Sequence, residues 1–187
     1  MRLFVALDFP EKVRDALRDL ITQLKPLCRA ARWVRPEGMH VTLKFIGEVR
    51  PDKLEPIKAA LSPIGSPQPV EMLFRGLGFF PNDRRPHVVW CGVEASGNLA
   101  ELAAHIEGAL KPLDIAPETR KFIPHLTLAR FPSHESVDEV VRAASERKSY
   151  DFGSARETDF HLFESILGRS GAEYKRLATY AFVKRSE

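Results

Sequence analysis

Two stretches of this chain are nearly the same and lie 85 residues apart: Met39-His40-Val41-Thr42-Leu43-Lys44-Phe45-Ile46 and Pro124-His125-Leu126-Thr127-Leu128-Ala129-Arg130-Phe131. Their surroundings repeat with them, the segment at Leu3 matching that at Val88 and Met72 matching Glu157. A motif that recurs with its whole neighbourhood points to duplication, and two copies are too few for a solenoid. The expectation is a bilobal, pseudo-twofold fold with one motif in each half. The repeats would run over about 1–85 and 86–187 within a single domain, 1–187.

Hydrophobic periodicity supplies the elements. Arg2 to Phe9 is a short apolar run closed by Pro10 and reads as a buried strand. Val13, Ala16, Leu17, Leu20, Ile21 and Leu24 then recur at helical spacing until Pro26. Met39 to Gly47 is apolar and β-branched, a strand. Asp52 to Leu61 reads as a weaker helix, Val70 to Phe80 as a strand and Pro81 to Pro86 as a polar turn. His87 to Glu94 is a strand, and Leu99, Leu102, Ile106 and Leu110 mark a third helix. Ile123 to Phe131 is a strand. Ser136 with Glu139 has the spacing of a capping box, opening a helix through Val137, Val140, Val141 and Ala144. Thr158 to Leu167 and Tyr174 to Val183 close the chain as strands. The order is β-α-β-α-β twice, then a last strand.

Composition narrows the class of function. With 44% hydrophobic and 28% charged residues, the 187-residue chain is an ordinary globular sequence, neither disordered nor collagen-like. Two cysteines, Cys28 and Cys91, make no disulfide framework and read as buried free thiols of a cytoplasmic protein. No apolar run approaches the ~18 residues of a membrane span. A net charge of +3 permits an anionic partner without indicating one.

Side chains two apart on a strand share a face. His40 and Thr42 therefore point together, as do His125 and Thr127, while Val41, Leu43, Leu126 and Leu128 point to the core. Two imidazoles and two hydroxyls converging on one cleft suit the opening of a cyclic phosphate. One imidazole takes the proton of an attacking water, the other protonates the departing ribose oxygen, and the hydroxyls donate to the phosphoryl oxygens. An unperturbed imidazole titrates near 6.5, so it can do either at neutral pH. The task requires no metal and no cofactor, and the sequence has no metal-ligand motif and no phosphate-binding Gly-x-x-x-x-Gly-Lys loop.

The paired His40-Val-Thr-Leu and His125-Leu-Thr-Leu resemble the signature of the 2H phosphoesterase superfamily. Within it, Met1-Arg-Leu-Phe-Val-Ala-Leu-Asp-Phe-Pro, Trp33-Val34-Arg35 and Pro124-His-Leu-Thr-Leu-Ala-Arg resemble the RNA 2′,3′-cyclic phosphodiesterases, also called LigT-like or 2′-5′ RNA ligase proteins. The resemblance covers nearly the whole chain. It implies an α+β bilobal fold with two antiparallel sheets around a central cleft and helices outside. It implies metal-independent hydrolysis of RNA 2′,3′-cyclic phosphate ends to 2′-phosphomonoesters; a monomer is expected, because two lobes already complete the site. It implies His40 as proton donor, His125 as base, and Thr42 and Thr127 as phosphate-binding hydroxyls. Alternatives are 2′-5′ ligation of tRNA halves, hydrolysis of another cyclic nucleotide phosphate, and a non-catalytic module that grips RNA ends.

Other residues are weighed beside these. The family pattern makes Arg130 a phosphate contact, yet strict strand alternation puts it on the face opposite His125, unless a bulge intervenes. Lys44 has the parity to follow His40 and Thr42 into the cleft, with a solvated strand-end lysine as the plainer reading. Trp33 and Phe45 have faces on which a base could stack, but Phe45 shares parity with the core residues Val41 and Leu43. Arg84 and Arg85 read as an ordinary charged turn. His87, His105, His134 and His161 lack the neighbouring Thr-Leu and read as structural or surface residues.

Overall fold

The computed structural model describes residues 1–132, 136–168 and 171–182. Among these residues nine strands and four α-helices follow in the order β1 (Arg2–Leu7), α1 (Glu11–Leu24), β2 (Arg32–Trp33), β3 (Val41–Glu48), α2 (Leu54–Leu61), β4 (Val70–Phe80), β5 (Val88–Ala95), α3 (Asn98–Leu110), β6 (His125–Arg130), α4 (Asp138–Ser145), β7 (Asp151–Glu157), β8 (Asp159–Gly168) and β9 (Gly171–Ala181). The strands form two wholly antiparallel sheets, β3-β1-β8-β9 and β2-β6-β5-β4-β7.

The strand orders show how the two repeats are joined. In the first sheet the motif strand β3 lies beside β1, and the next neighbour, β8, comes from the second half of the chain. In the second sheet the motif strand β6 lies beside β5, and the next neighbour, β4, comes from the first half. Each half thus lends a strand to the other's sheet, β4 from the first and β8 from the second, so each sheet is built from both halves of the chain. The helices are exchanged likewise: α1 packs against β7, and α3 packs against β3.

The apolar periodicity of α1 buries Val13, Leu17, Leu20, Ile21 and Leu24, and that of α3 buries Leu99, Leu102, Ile106 and Leu110. With Leu3, Val5 and Leu7 of β1, Phe74 of β4, Leu126 and Leu128 of β6 and Phe160 of β8, they make one continuous core. Truncating a fully buried Phe such as Phe74 to Ala costs about 3–5 kcal/mol. Phe4, Ala6 and Phe163 form a separate buried patch on the other face of the first sheet.

Four expectations need correction. Residues 151–157 form β7, which the periodicity missed because Asp-Phe-Gly-Ser-Ala-Arg-Glu has few strand formers; it forms by pairing along β4. Ser136 and Glu139 form no capping box: α4 begins at Asp138 with Val137 in the cap position, and the Ser136 hydroxyl bonds the Asp138 carboxylate instead. Pro26 does not stop α1 abruptly, since a 3-10 turn over Lys25–Leu27 follows Leu24. The motif strand β3 starts one residue after His40, at Val41.

Candidate active site

The two motif strands are in contact. β3 is the edge of its sheet, and β6 is covered only by the two-residue β2. The chain between them is tied across, the Val34 amide donating to the Leu128 carbonyl at 2.8 Å. From Val34 a 3-10 turn over Pro36–Gly38 leads directly into His40.

Each motif strand carries a bulge at the same place. On β1, Ala6 pairs with Thr42 and Val5 with Lys44, so Leu43 is an extra residue. On β5, Trp90 pairs with Thr127 and Val89 with Ala129, so Leu128 is an extra residue. A bulge inverts the alternation beyond it. Arg130 therefore lies on the face of His125 and Thr127, close enough for its charge to act on the His125 ring. Strict alternation misplaces it.

The same inversion corrects Lys44 and Phe45. Lys44 does not follow Thr42 into the cleft. It turns into the protein, 4% exposed, where its ammonium meets the Glu107 carboxylate at 2.7 Å and the Ala116 carbonyl at 2.7 Å. Phe45 leaves the core face and is 56% exposed beside Phe4, with ring centroids 6.2 Å apart. Trp33 packs against the core with its indole N–H on the Cys28 carbonyl at 3.1 Å.

The imidazoles are held alike. Nδ1 of His125 lies 2.7 Å from the Ile123 carbonyl, two residues upstream. A carbonyl only accepts, so Nδ1 carries the hydrogen and Nε2 keeps its lone pair. His40 makes the matching bond to the backbone of Gly38, also two residues upstream. Aromatic rings back both. Phe4 stacks on His40 at 4.4 Å and the Tyr174 edge meets it at 5.0 Å, while Phe80 meets His125 edge-on at 5.0 Å with Trp90 at 6.2 Å. These rings come from β1, β4, β5 and β9 and carried no signal in the sequence. Two glycines leave room for them: a Cβ on Gly38 would sit 2.9 Å from the Tyr174 ring, and one on Gly78 would sit 2.3 Å from Trp90.

Burial pushes both imidazole pKa values down, that of His40 to about 4. Their charged neighbours differ. His125 faces Arg130 and Arg120, which add to the lowering; His40 faces Asp8, which raises its pKa, and Arg14, which lowers it.

The remaining candidates fall outside this cluster. His161 is buried with Nδ1 3.0 Å from the Thr179 hydroxyl and Nε2 3.0 Å from Asp159. His87 and His105 are exposed, and His134 lies outside the described residues. Arg84 and Arg85 belong to a turn whose amides bond the Asn82 side chain. Cys28 and Cys91 are buried free thiols. Among the described residues no helix is long and apolar enough to cross a membrane.

A profile of LigT-like phosphoesterases matches residues 7–90 and 92–174. The chain is 37% identical over 181 residues to an RNA 2′,3′-cyclic phosphodiesterase of Archaeoglobus fulgidus, covering 96% of this chain and 99% of the relative. It is 31% identical to one of Methanothermobacter thermautotrophicus, covering 96% and 98%. Its fold is similar to the crystal structure of TT0787 of Thermus thermophilus, with TM-score 0.82, 28% identity and full coverage of both chains. It is also similar to E. coli LigT complexed with 3′-AMP, with TM-score 0.78, 26% identity and 98% coverage of both.

Proposed function

The chain belongs to the LigT-like phosphoesterase family, and from that membership we propose that it hydrolyses 2′,3′-cyclic phosphate ends of RNA to 2′-phosphomonoesters, using His40 and His125 and no metal. The observation that carries this reading is the twinned setting of the histidines. Each follows a backbone anchor two residues upstream, and each stands beside a threonine on an identically bulged strand.

In this mechanism Nε2 of His125 takes a proton from water, whose oxygen attacks phosphorus. The bond from phosphorus to the 3′ oxygen breaks, and His40 gives that oxygen its proton, so the phosphate stays on the 2′ oxygen. Thr42, Thr127 and Arg130 donate to the non-bridging oxygens as charge builds there. The charge environments favour this division of roles. Among the described residues the charges that act on His125 are the cations Arg130 and Arg120, which suits a neutral base, whereas His40 has a carboxylate near it, which suits a group that must hold a proton. The bound phosphate anion adds to the charging of His40.

We read the enzyme as a monomer in which residues 1–187 form one bilobal domain. The experiment is hydrolysis of an RNA oligonucleotide ending in a 2′,3′-cyclic phosphate, with excess chelator. Wild type should give the 2′-phosphate, and His40→Ala and His125→Ala should not. Full activity in either variant, or activity lost to the chelator, overturns the mechanism. A 2′-5′ linked product from two RNA fragments would instead make the chain a ligase.

A further inference from the structure

The cleft face of the first sheet is laid out in rows across β3, β1, β8 and β9. One row is Phe45, Phe4, Phe163 and Arg176, and the next is Thr42, Ala6, His161 and Thr179. Beyond the last paired residues, Leu7 and Val41, the two chains continue to Asp8 and His40. By alternation Asp8 and His40 lie on the face of Ala6 and Thr42, and the Asp8 carboxylate is close enough for its charge to act on the His40 ring.

Asp8 does not wander there. Its Oδ1 accepts from the Arg14 guanidinium at 2.7 Å, and its Oδ2 accepts from Arg176 at 2.7 Å. Arg14 is a buried charge on α1, and Asp8 offsets the cost of burying it. The same guanidinium donates to the carbonyls of Pro36 and Met39, the latter at 3.2 Å. Those carbonyls belong to the turn and the residue immediately before His40. Arg176 lies over the Phe163 ring, which itself stacks beside His40. The charges that act on His40 are Asp8, just past β1, and Arg14 from α1, with the Tyr174 ring of β9 against it, while Arg176, Asp159 and Asp8 act on His161 further along the sheet. Among the described residues no carboxylate acts on His125 in this way.

Resting on the reaction assigned above, we propose that Asp8, clamped between Arg14 and Arg176, is the positioning carboxylate of His40: it lets that imidazole hold a proton once the substrate anion is bound, and through Arg14 it fixes the backbone from which the ring projects. Asp8 touches neither the phosphate nor the reacting atoms. Its contribution is to the charge and the aim of the group that does.

The test follows the ring resonances of His40 and His125 by NMR across pH in the free protein, alongside kcat and KM on the cyclic-phosphate RNA. In Asp8→Asn, His40 should titrate at lower pH than in wild type while His125 stays where it was. Turnover should fall roughly 10- to 100-fold in kcat with KM nearly unchanged, the scale of loss from a misplaced catalytic group. Asp8→Glu restores the charge and should bring His40 back towards its wild-type titration. Unchanged titration and kcat in Asp8→Asn, or equal shifts at both histidines, overturn the proposal. Should Asp8→Asn fail to fold, Arg176→Gln on the exposed side of the clamp decides. Removing that cation leaves Asp8 less compensated, so His40 should titrate higher, and no movement overturns the idea. Because the titration needs no substrate, a wild type that hydrolyses nothing would sink the assigned reaction and still leave the hold of Asp8 on His40 measurable.

Discussion

Leu43 on β3 and Leu128 on β6 occupy the same place in the two halves of the molecule, and each is the unpaired residue of a bulge. Before the bulge, both strands alternate as simple strands do: His and Thr to the cleft, Val or Leu to the core. After it, the order is reversed. That places Phe45 and Arg130 on the cleft side and turns Lys44 and Ala129 inward. The duplication extends to a backbone irregularity as well as to a motif.

Arg130 reaches the His125 face only because of the Leu128 bulge. Arg130→Ala should therefore lower kcat/KM on cyclic-phosphate RNA by roughly 10- to 100-fold, the loss of a hydrogen bond to a charged group worth about 1.5–3 kcal/mol. Its cation also disfavours a charged His125. The His125 ring should titrate at higher pH in the variant, read by NMR. An unaltered kcat/KM would place Arg130 outside the phosphate site.

Lys44 is buried against Glu107 and the Ala116 carbonyl and should serve the fold rather than the reaction. In Lys44→Ala the Glu107 carboxylate loses its buried ammonium partner. Glu107 is itself partly exposed, so the cost should be about 1–3 kcal/mol, below the range for fully buried pairs. Denaturant unfolding measures it. Turnover at a temperature where the variant is folded should stay within about twofold, whereas a cleft lysine would lose activity first.

The pH profile carries a sign. Both imidazole pKa values in the free enzyme lie below the ordinary 6.5, through burial. The alkaline limb of the kcat/KM profile, which reports the free enzyme, should therefore lie below pH 6.5. A bound phosphate anion favours the imidazolium, so the kcat profile should lie at higher pH than the kcat/KM profile. Coincident profiles would mean that the phosphate does not sit against the histidines.

Stability should respond to acid for the same reason. His40 binds a proton at about 4 when folded and near 6.5 when unfolded. Between those values the unfolded chain holds more protons, so stability is lost as pH falls through that window. The urea midpoint of wild type should drop between pH 7 and pH 5 by more than that of His40→Gln. Equal drops would show that His40 stays solvated in the folded protein.

Much of the site was legible because the chemistry sits in a contiguous motif. His40, Thr42, His125 and Thr127 follow from a repeat and a period of two. Other parts were not legible because they depend on pairing between distant segments. A bulge leaves no mark in Val-Thr-Leu-Lys-Phe, since the same residues suit either register beyond Leu43. β7 has a composition that reads as loop and becomes a strand only because β4 offers a free edge. Phe4, Tyr174, Phe80 and Trp90 looked like ordinary strand aromatics until four strands set them against the two imidazoles.

The sequence by itself specifies that the His-x-Thr-Leu motif occurs twice, that strands and amphipathic helices alternate along most of the chain, and that each motif carries one imidazole beside one hydroxyl. A chain expresses these properties without knowing its neighbours. The exchange of β4 and β8 between halves, the inversion beyond Leu43 and Leu128, and the placing of Asp8 within reach of His40 arise only in the folded molecule. All three follow from which strand edges meet, and the hydrogen bonds of an edge are satisfied only by the partner that folding brings to it.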